Sequence, residues 1–252
     1  MTLDSPDPLT SARLPARHGF FTRRGGVSTG PYASLNGSLS GGDAPDLVQI
    51  NRDRVAQHLG ARTMVGVTQV HGAAVAVVTD AWPPGAGPRA DAMVTARPGV
   101  ALGIITADCT PVLLADPVAG VIGAVHAGWR GAVAGVLEAT VAAMVQLGAA
   151  PGRIAAAIGP CIRQPSYEVG ADLRDAVLAA GAEGARFFLD GARPGHWQFD
   201  LAGYCATRLA VLAGVDILPA DTAADPDRFF SHRRRTLAGG GAIGHQMSAI
   251  VL

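Results

Sequence analysis

The apolar pattern of this chain changes period once, between Val100 and Gly148. ALGIITAD, VLLAD and VIGAVHAG are apolar runs short enough to be buried strands, the last two facing each other across the turn Pro117–Gly120. After His126 the spacing lengthens. GWRGAVAGVLEATVAAMVQLG repeats apolar residues at three and four, which predicts one long helix ending near Gly148–Pro151. A chain with both patterns must lay helix against sheet.

Elsewhere, TMVGVTQVHG, AAVAVVTD, RIAAAIGPC, DILPAD and AIGHQMSAIVL predict short strands. VQINRDRVAQHLG, Ala171–Gly181 and Leu201–Gly214 predict helices. The order is irregular, which argues against a doubly wound parallel sheet and for mixed α/β pairing. FFTRRGGVSTGPYASLN predicts an ordered Gly-rich loop, and residues 1–15 a flexible polar leader before a single domain over 16–252.

Composition narrows the chemistry. Twenty basic residues balance twenty acidic ones, so no net field favours nucleic acid or an anionic membrane as partner. All the basic residues are Arg, which excludes a Schiff-base or general-base lysine and leaves anion binding to guanidinium forks or backbone amides. Three cysteines make no disulfide framework, and the N-terminus lacks the apolar core of a signal peptide. No apolar run reaches membrane-spanning length, so a soluble cytoplasmic protein is expected.

Cys109 follows the strand ALGIITAD, His126 ends VIGAVHAG, and His71 ends VGVTQVHG, each His being followed by Gly. A hairpin between the first two would bring both to one sheet edge. Two imidazoles and a thiolate suit Zn(II) with a fourth position open to water or a substrate oxygen. The same residues also read as a small buried hydrophobe and two hydrogen-bonded strand-end histidines. Asp108 is either an orienter of a ligand histidine or a turn residue. Amides at the helix start, by Trp129 and Arg130, would point toward the same edge and could hold an anion. Arg23 is a phosphate clamp or a solvated cation, Cys161 a second thiol or filler, and FFSHRRR a wet surface run.

QVHG (Gln69–Gly72), ADAMVT, TADCTPVLLADP, AVHAGWRG, IGPCI…YEVG and FFSHRR occur in an order that resembles the YfiH family, the laccase-domain or multicopper polyphenol-oxidase-like proteins. TRRGGVSTGPYASLN resembles its N-terminal signature. The resemblance implies a single α/β domain with mixed sheets packed between helices. It implies metal ligands His71, Cys109 and His126, with zinc as the metal and copper as the older family label. Cys109, His126 and Asp108 then become catalytic candidates, and Arg23, Asn36, Gln69, Arg130 and Cys161 candidate substrate contacts.

The implied activity is phosphorolysis of purine nucleosides (adenosine, inosine, guanosine, methylthioadenosine), with adenosine deamination beside it. Rivals are a laccase-like oxidase, a cysteine hydrolase acting on cell-wall peptide precursors, and a zinc store. Seven histidines fall short of the roughly ten that several copper centres would need. This chain departs from the family pattern at His245, where an Arg is expected, at Asp221–Thr222 in place of a Cys-Thr pair, and in SLSGGDAP after Asn36.

Overall fold

Thr110–Asp116 and Val121–Ala127 pair antiparallel with Pro111 opposite His126, around a turn in which Gly120 takes φ +61°. The computed structural model describes residues 5–252. In chain order its first elements are β1 (Pro8–Leu9), β2 (Arg17–Phe21), α1 (Pro45–His58), β3 (Thr63–Val65) and β4 (Val75–Val77). Next come β5 (Ala92–Thr95), β6 (Val100–Thr106), β7 (Thr110–Asp116), β8 (Val121–Ala127), α2 (Trp129–Val133), α3 (Val136–Gln146) and β9 (Ala155–Ile158). The rest is β10 (Glu168–Val169), α4 (Ala171–Ala179), β11 (Phe188–Asp190), β12 (Trp197–Phe199), α5 (Leu201–Arg208), β13 (Gly214–Ile217), α6 (His232–Leu237) and β14 (Gln246–Val251).

The strands form a six-stranded mixed sheet ordered β13-β9-β7-β8-β5-β4, a five-stranded one ordered β1-β2-β14-β6-β3, and a small antiparallel sheet β10-β12-β11. Every residue of β7 and β8 is buried, so the larger sheet is covered on both faces. Alternation along β7 shows how. Val112 and Leu114 join the core formed with α2 to α5, while Leu113 and Ala115 meet Phe20, Leu102, Ile104 and Ile250 of the five-stranded sheet. The outer face of that second sheet is covered by Val55 and Leu59 of the α1 region, packed with Met64, Ala249 and Val251. The molecule is therefore an α/β arrangement of mixed sheets packed face to face between helices.

Several sequence expectations need correction. The long helix after His126 is two helices, α2 and α3, because Gly135 between them sits at φ +91°, where continuous α-helix is impossible. The break leaves α2 with five residues, too short to build the anion site expected at its start. TMVGVTQVHG is a strand only as far as Val65; His71 stands in a loop at φ +60°. The helix expected over 201–214 stops at Arg208, and Gly214–Ile217 instead pairs parallel with β9. Phe20 and Phe21 belong to β2, not to the loop that follows. Within the described part of the leader, Pro8–Leu9 pairs with Phe20–Phe21 and Leu14 is buried, while residues 1–4 lie outside the described residues.

Candidate metal centre

The hairpin register puts Cys109, one residue before β7, and His126, one residue from the end of β8, at the same edge of the six-stranded sheet. His71 completes the group from its loop. The donor atoms of the three side chains lie within 4.8 Å of one another. His71 Nε2 is 3.8 Å from Cys109 Sγ, and the two imidazoles meet edge to face at 4.7 Å between centroids. Donors around a tetrahedral zinc stand about 3.3–3.6 Å apart, given bonds of about 2.0–2.3 Å. Small side-chain movements close that difference, so this donor set fits a Zn(II) or Cu ion. Gly128 makes room for it: a Cβ there would sit 2.8 Å from His71 Cδ2 and 3.2 Å from Cys109 Sγ.

Asp91 organises two of the three candidate ligands. It is fully buried at the start of β5. Its carboxylate accepts the His126 Nδ1–H at 2.8 Å and backbone N–H groups of Val70, His71 and Gly72 at 3.1, 2.9 and 2.7 Å. A carboxylate can only accept, so a proton is held on His126 Nδ1 and Nε2 is the ring nitrogen turned toward the cluster. The amide bonds hold the His71 loop in its left-handed turn. Burial alone would raise the Asp91 carboxyl, but His126 and the amides of Gly72 and His71 outweigh it and bring it below the ordinary value.

The cluster polarises itself. Burial disfavours a thiolate at Cys109, yet the charge and hydrogen bonding of His126, with help from His71, bring the thiol down from 9.0 to about 6. His126 moves the other way: burial would lower it, but Cys109 and Asp91 raise it to about 9. In the metal-free protein the pair is thus thiolate and imidazolium, and the thiolate is the form that binds metal.

Asp108 makes no hydrogen bond to either ligand histidine; that orienting role belongs to Asp91. Asp108 stands at φ +90° and accepts from the Thr222 hydroxyl at 2.6 Å, the Ser231 hydroxyl at 2.9 Å and the Arg233 N–H at 2.6 Å. It ties the C-terminal third of the chain to the residue beside Cys109. FFSHRR is consequently no wet surface run: Phe229 and Phe230 are core residues, Ser231 caps α6, and Arg233 donates to the Glu168 carbonyl at 2.8 Å.

A cavity of about 670 Å³ opens on the triad, and His232, Arg233, Tyr167 and His245 form part of its wall. Of the candidate substrate contacts, Gln69 lines it, with its amide locked onto the backbone of Ile105 through two hydrogen bonds. The other four do not line it. Arg23 donates to the carbonyls of Ala33 and Pro226 and lies 4.4 Å over the Phe230 ring. Asn36 is buried; its side chain bonds Asp43 and the backbone N–H groups of Ser38 and His245, which makes it scaffold for the cavity wall. Arg130 is exposed and stacks on Trp129. Cys161 is fully buried, and burial pushes its thiol up to about 11.

Residue-type reasoning missed Asp91, although it lies inside ADAMVT. An Asp immediately before the short run AMVT, thirty-five residues from the histidine it bonds, was the available signal. Arg52 on α1 and Thr106 at the end of β6 were missed as well, and both line the cavity.

Residues 17–252 match the family described as multi-copper polyphenol oxidoreductase laccase. A purine nucleoside phosphorylase of Streptomyces griseus, ORF3, is 45% identical over 242 residues, spanning 91% of this chain and 92% of the relative. The purine nucleoside phosphorylase YfiH of Shigella flexneri is 39% identical over 222 residues, 86% of this chain and 88% of that one. Among solved structures, the Neisseria meningitidis protein NMB0706 superposes with a TM-score of 0.87 at 36% identity, covering 99% of both chains. The chain belongs to the multi-copper polyphenol oxidoreductase laccase family, the group that includes the YfiH proteins.

Proposed function

We propose that the chain is a zinc-dependent purine nucleoside phosphorylase that also deaminates adenosine. The observation that carries this reading is a His-Cys-His donor set opening onto a cavity of about 670 Å³, in a chain whose relatives bear that name. Small-molecule sites fall at about 300–1,000 Å³. Adenosine, inosine, guanosine and methylthioadenosine are the substrates expected, with phosphate as co-substrate.

His71, Cys109 and His126 would hold the metal, which when bound supplies Lewis acidity and a fixed positive charge. The chain's own contribution is alignment. Asp91 fixes the His126 ring and the His71 loop. Asp108 anchors the wall formed by α6, an anchoring role that replaces proton shuttling in this reading. In phosphorolysis a phosphate oxygen forms the new bond to C1′ while the C1′–N9 bond breaks and its electron pair leaves with the purine. Holding the two reactants in line in a walled site supplies much of the rate.

Purified protein given inosine with and without phosphate tests the reading. Hypoxanthine and ribose 1-phosphate should form only with phosphate; base release indifferent to phosphate rejects phosphorolysis. Adenosine without phosphate should yield inosine if deamination accompanies it.

The low thiol of Cys109 beside the raised His126 favours one second reading, a cysteine hydrolase with Cys109 as nucleophile and His126 as base. Chelation separates the two. Activity lost with a chelator and restored by metal supports the phosphorylase, whereas activity that survives chelation and is abolished by alkylation supports the hydrolase.

A further inference from the structure

Arg52, on α1, stands in the wall of the same cavity. It is 6% exposed, and among the described residues no carboxylate lies within ion-pairing distance of it. Among the described residues its side chain makes one hydrogen bond, a long one from Nη1 to the Gly37 carbonyl at 3.3 Å. A guanidinium buried with so little compensation is costly unless an anion joins it. The guanidinium faces the cavity. Gly37, which takes its hydrogen bond, lines that space, and so does Gly66, where a Cβ would stand 3.1 Å from Nη2.

One further polar atom of the same wall, His245 Nδ1, is buried and has no hydrogen-bond partner among the described residues. His245 is bound into the Arg52 corner, since its carbonyl accepts the Gly37 N–H at 3.0 Å. Burial, with His126 and His232 adding to it, brings the His245 imidazole down to about 4, so at neutral pH it is an uncharged donor or acceptor.

We infer that Arg52 and His245 form a phosphate-binding subsite in the wall of the cavity. The expected fork was Arg23, whose donors are spent on backbone carbonyls outside the cavity. Arg52 supplies what Arg23 does not: a buried fork with unmatched donors, suited to two phosphate oxygens. The ring of His245 supplies a further hydrogen bond. The anion is either inorganic phosphate or the phosphate of a nucleotide, and the chemistry of recognition is shared. As phosphate for phosphorolysis, this inference rests on the function proposed above; as an anion site it does not.

The test is calorimetric titration of chelator-treated full-length protein with inorganic phosphate and, separately, with inosine monophosphate and inosine. Removing metal removes the competing anion site at the triad. Wild-type protein should bind at least one phosphate-bearing probe, and Arg52→Gln should weaken that binding tenfold or more while inosine binding persists. Phosphate binding identifies the free co-substrate as the source, and binding of the monophosphate alone identifies a nucleotide. Equal phosphate affinity in wild type and a folded Arg52→Gln, or no binding of either probe by wild type, overturns the subsite.

Should Arg52→Gln fail to fold, His245→Arg decides, because it adds a second guanidinium to the same wall. Severalfold tighter phosphate binding upholds the subsite and unchanged binding overturns it. Arg52-dependent phosphate binding without phosphate-dependent base release would sink the phosphorylase reading alone. Intact phosphorolysis with no Arg52 dependence would sink the subsite alone.

Discussion

Asp91 and Asp108 are buried carboxylates beside the same three ligands, yet they organise different halves of the site. Asp91 gathers the backbone of Val70–Gly72 and the ring of His126, so it sets the positions of two of the proposed metal ligands from the β5 and β8 side. Asp108 adjoins Cys109 in sequence but gathers Thr222, Ser231 and Arg233, all from the last third of the chain. One orders the ligands and the other orders the wall a substrate would meet. Metal retention and substrate fit are therefore separable by mutation.

The largest effect tests the centre itself. Cys109→Ala or His126→Ala should abolish bound metal, measured by elemental analysis, and reduce phosphate-dependent base release by more than the roughly 100-fold that loss of an outer partner costs. A variant that keeps both metal and activity would show that the cluster is not the site.

The next pair breaks or upholds the contrast directly. Asp91→Asn should weaken metal affinity about 10–100-fold, because the amide no longer dictates the His126 tautomer or receives the loop amides as an anion. Asp108→Asn should leave metal content unchanged and raise KM. If Asp108→Asn loses metal, or Asp91→Asn keeps full affinity, the assignment of the two carboxylates is wrong.

A smaller, pH-dependent effect sharpens the Asp91 half. In chelator-treated protein the alkylation rate of Cys109 should rise through pH of about 6, where the thiol ionises, and level off below the ordinary 9.0. The signs for stability follow. Cys109 is depressed, so its contribution is lost as pH falls through about 6; His126 is raised, so its contribution is lost as pH rises through about 9. Thermal stability of the metal-free protein should plateau between those values. A thiol inflecting near 9 would show that the imidazoles do not act on it.

Local pattern made the frame legible and left much of the site unread. The β7–β8 hairpin, which carries Cys109 and His126 to one end of the sheet, and the closing strand β14 were readable because alternation and turn residues act over a few neighbouring positions. Asp91 and Arg52 were not. Their roles come from partners 35 residues away for Asp91–His126 and from a cavity shared by α1, β6 and the segment before β14. The His71 loop was misread as strand because VTQV is β-branched. What overrides that preference is a carboxylate taking three successive amides, a tertiary contact no local window contains.

The smallest effect comes from a position that touches neither aspartate. Apolar spacing runs unbroken through AVAGVLEA, so it could not reveal the helix break at Gly135; the break lives in one positive φ. A side chain at φ +91° is strained by about 1–2 kcal/mol. A Cβ at Gly135 would meet nothing closer than Glu138 Oε2 at 3.6 Å, so the cost is conformational and not steric crowding. Gly135→Ala should thus lower Tm by a few degrees, since each kcal/mol is worth about 2–4 °C in a chain of this size. Gly128 and Trp129 keep their place because α2 is closed by its own hydrogen bonds, Ala132 N–H to the Gly128 carbonyl among them. Metal content should then match wild type. Loss of metal in Gly135→Ala would mean that the geometry beside His71 is set by how α3 leaves α2, and that Asp91 alone does not determine the ligand half of the site.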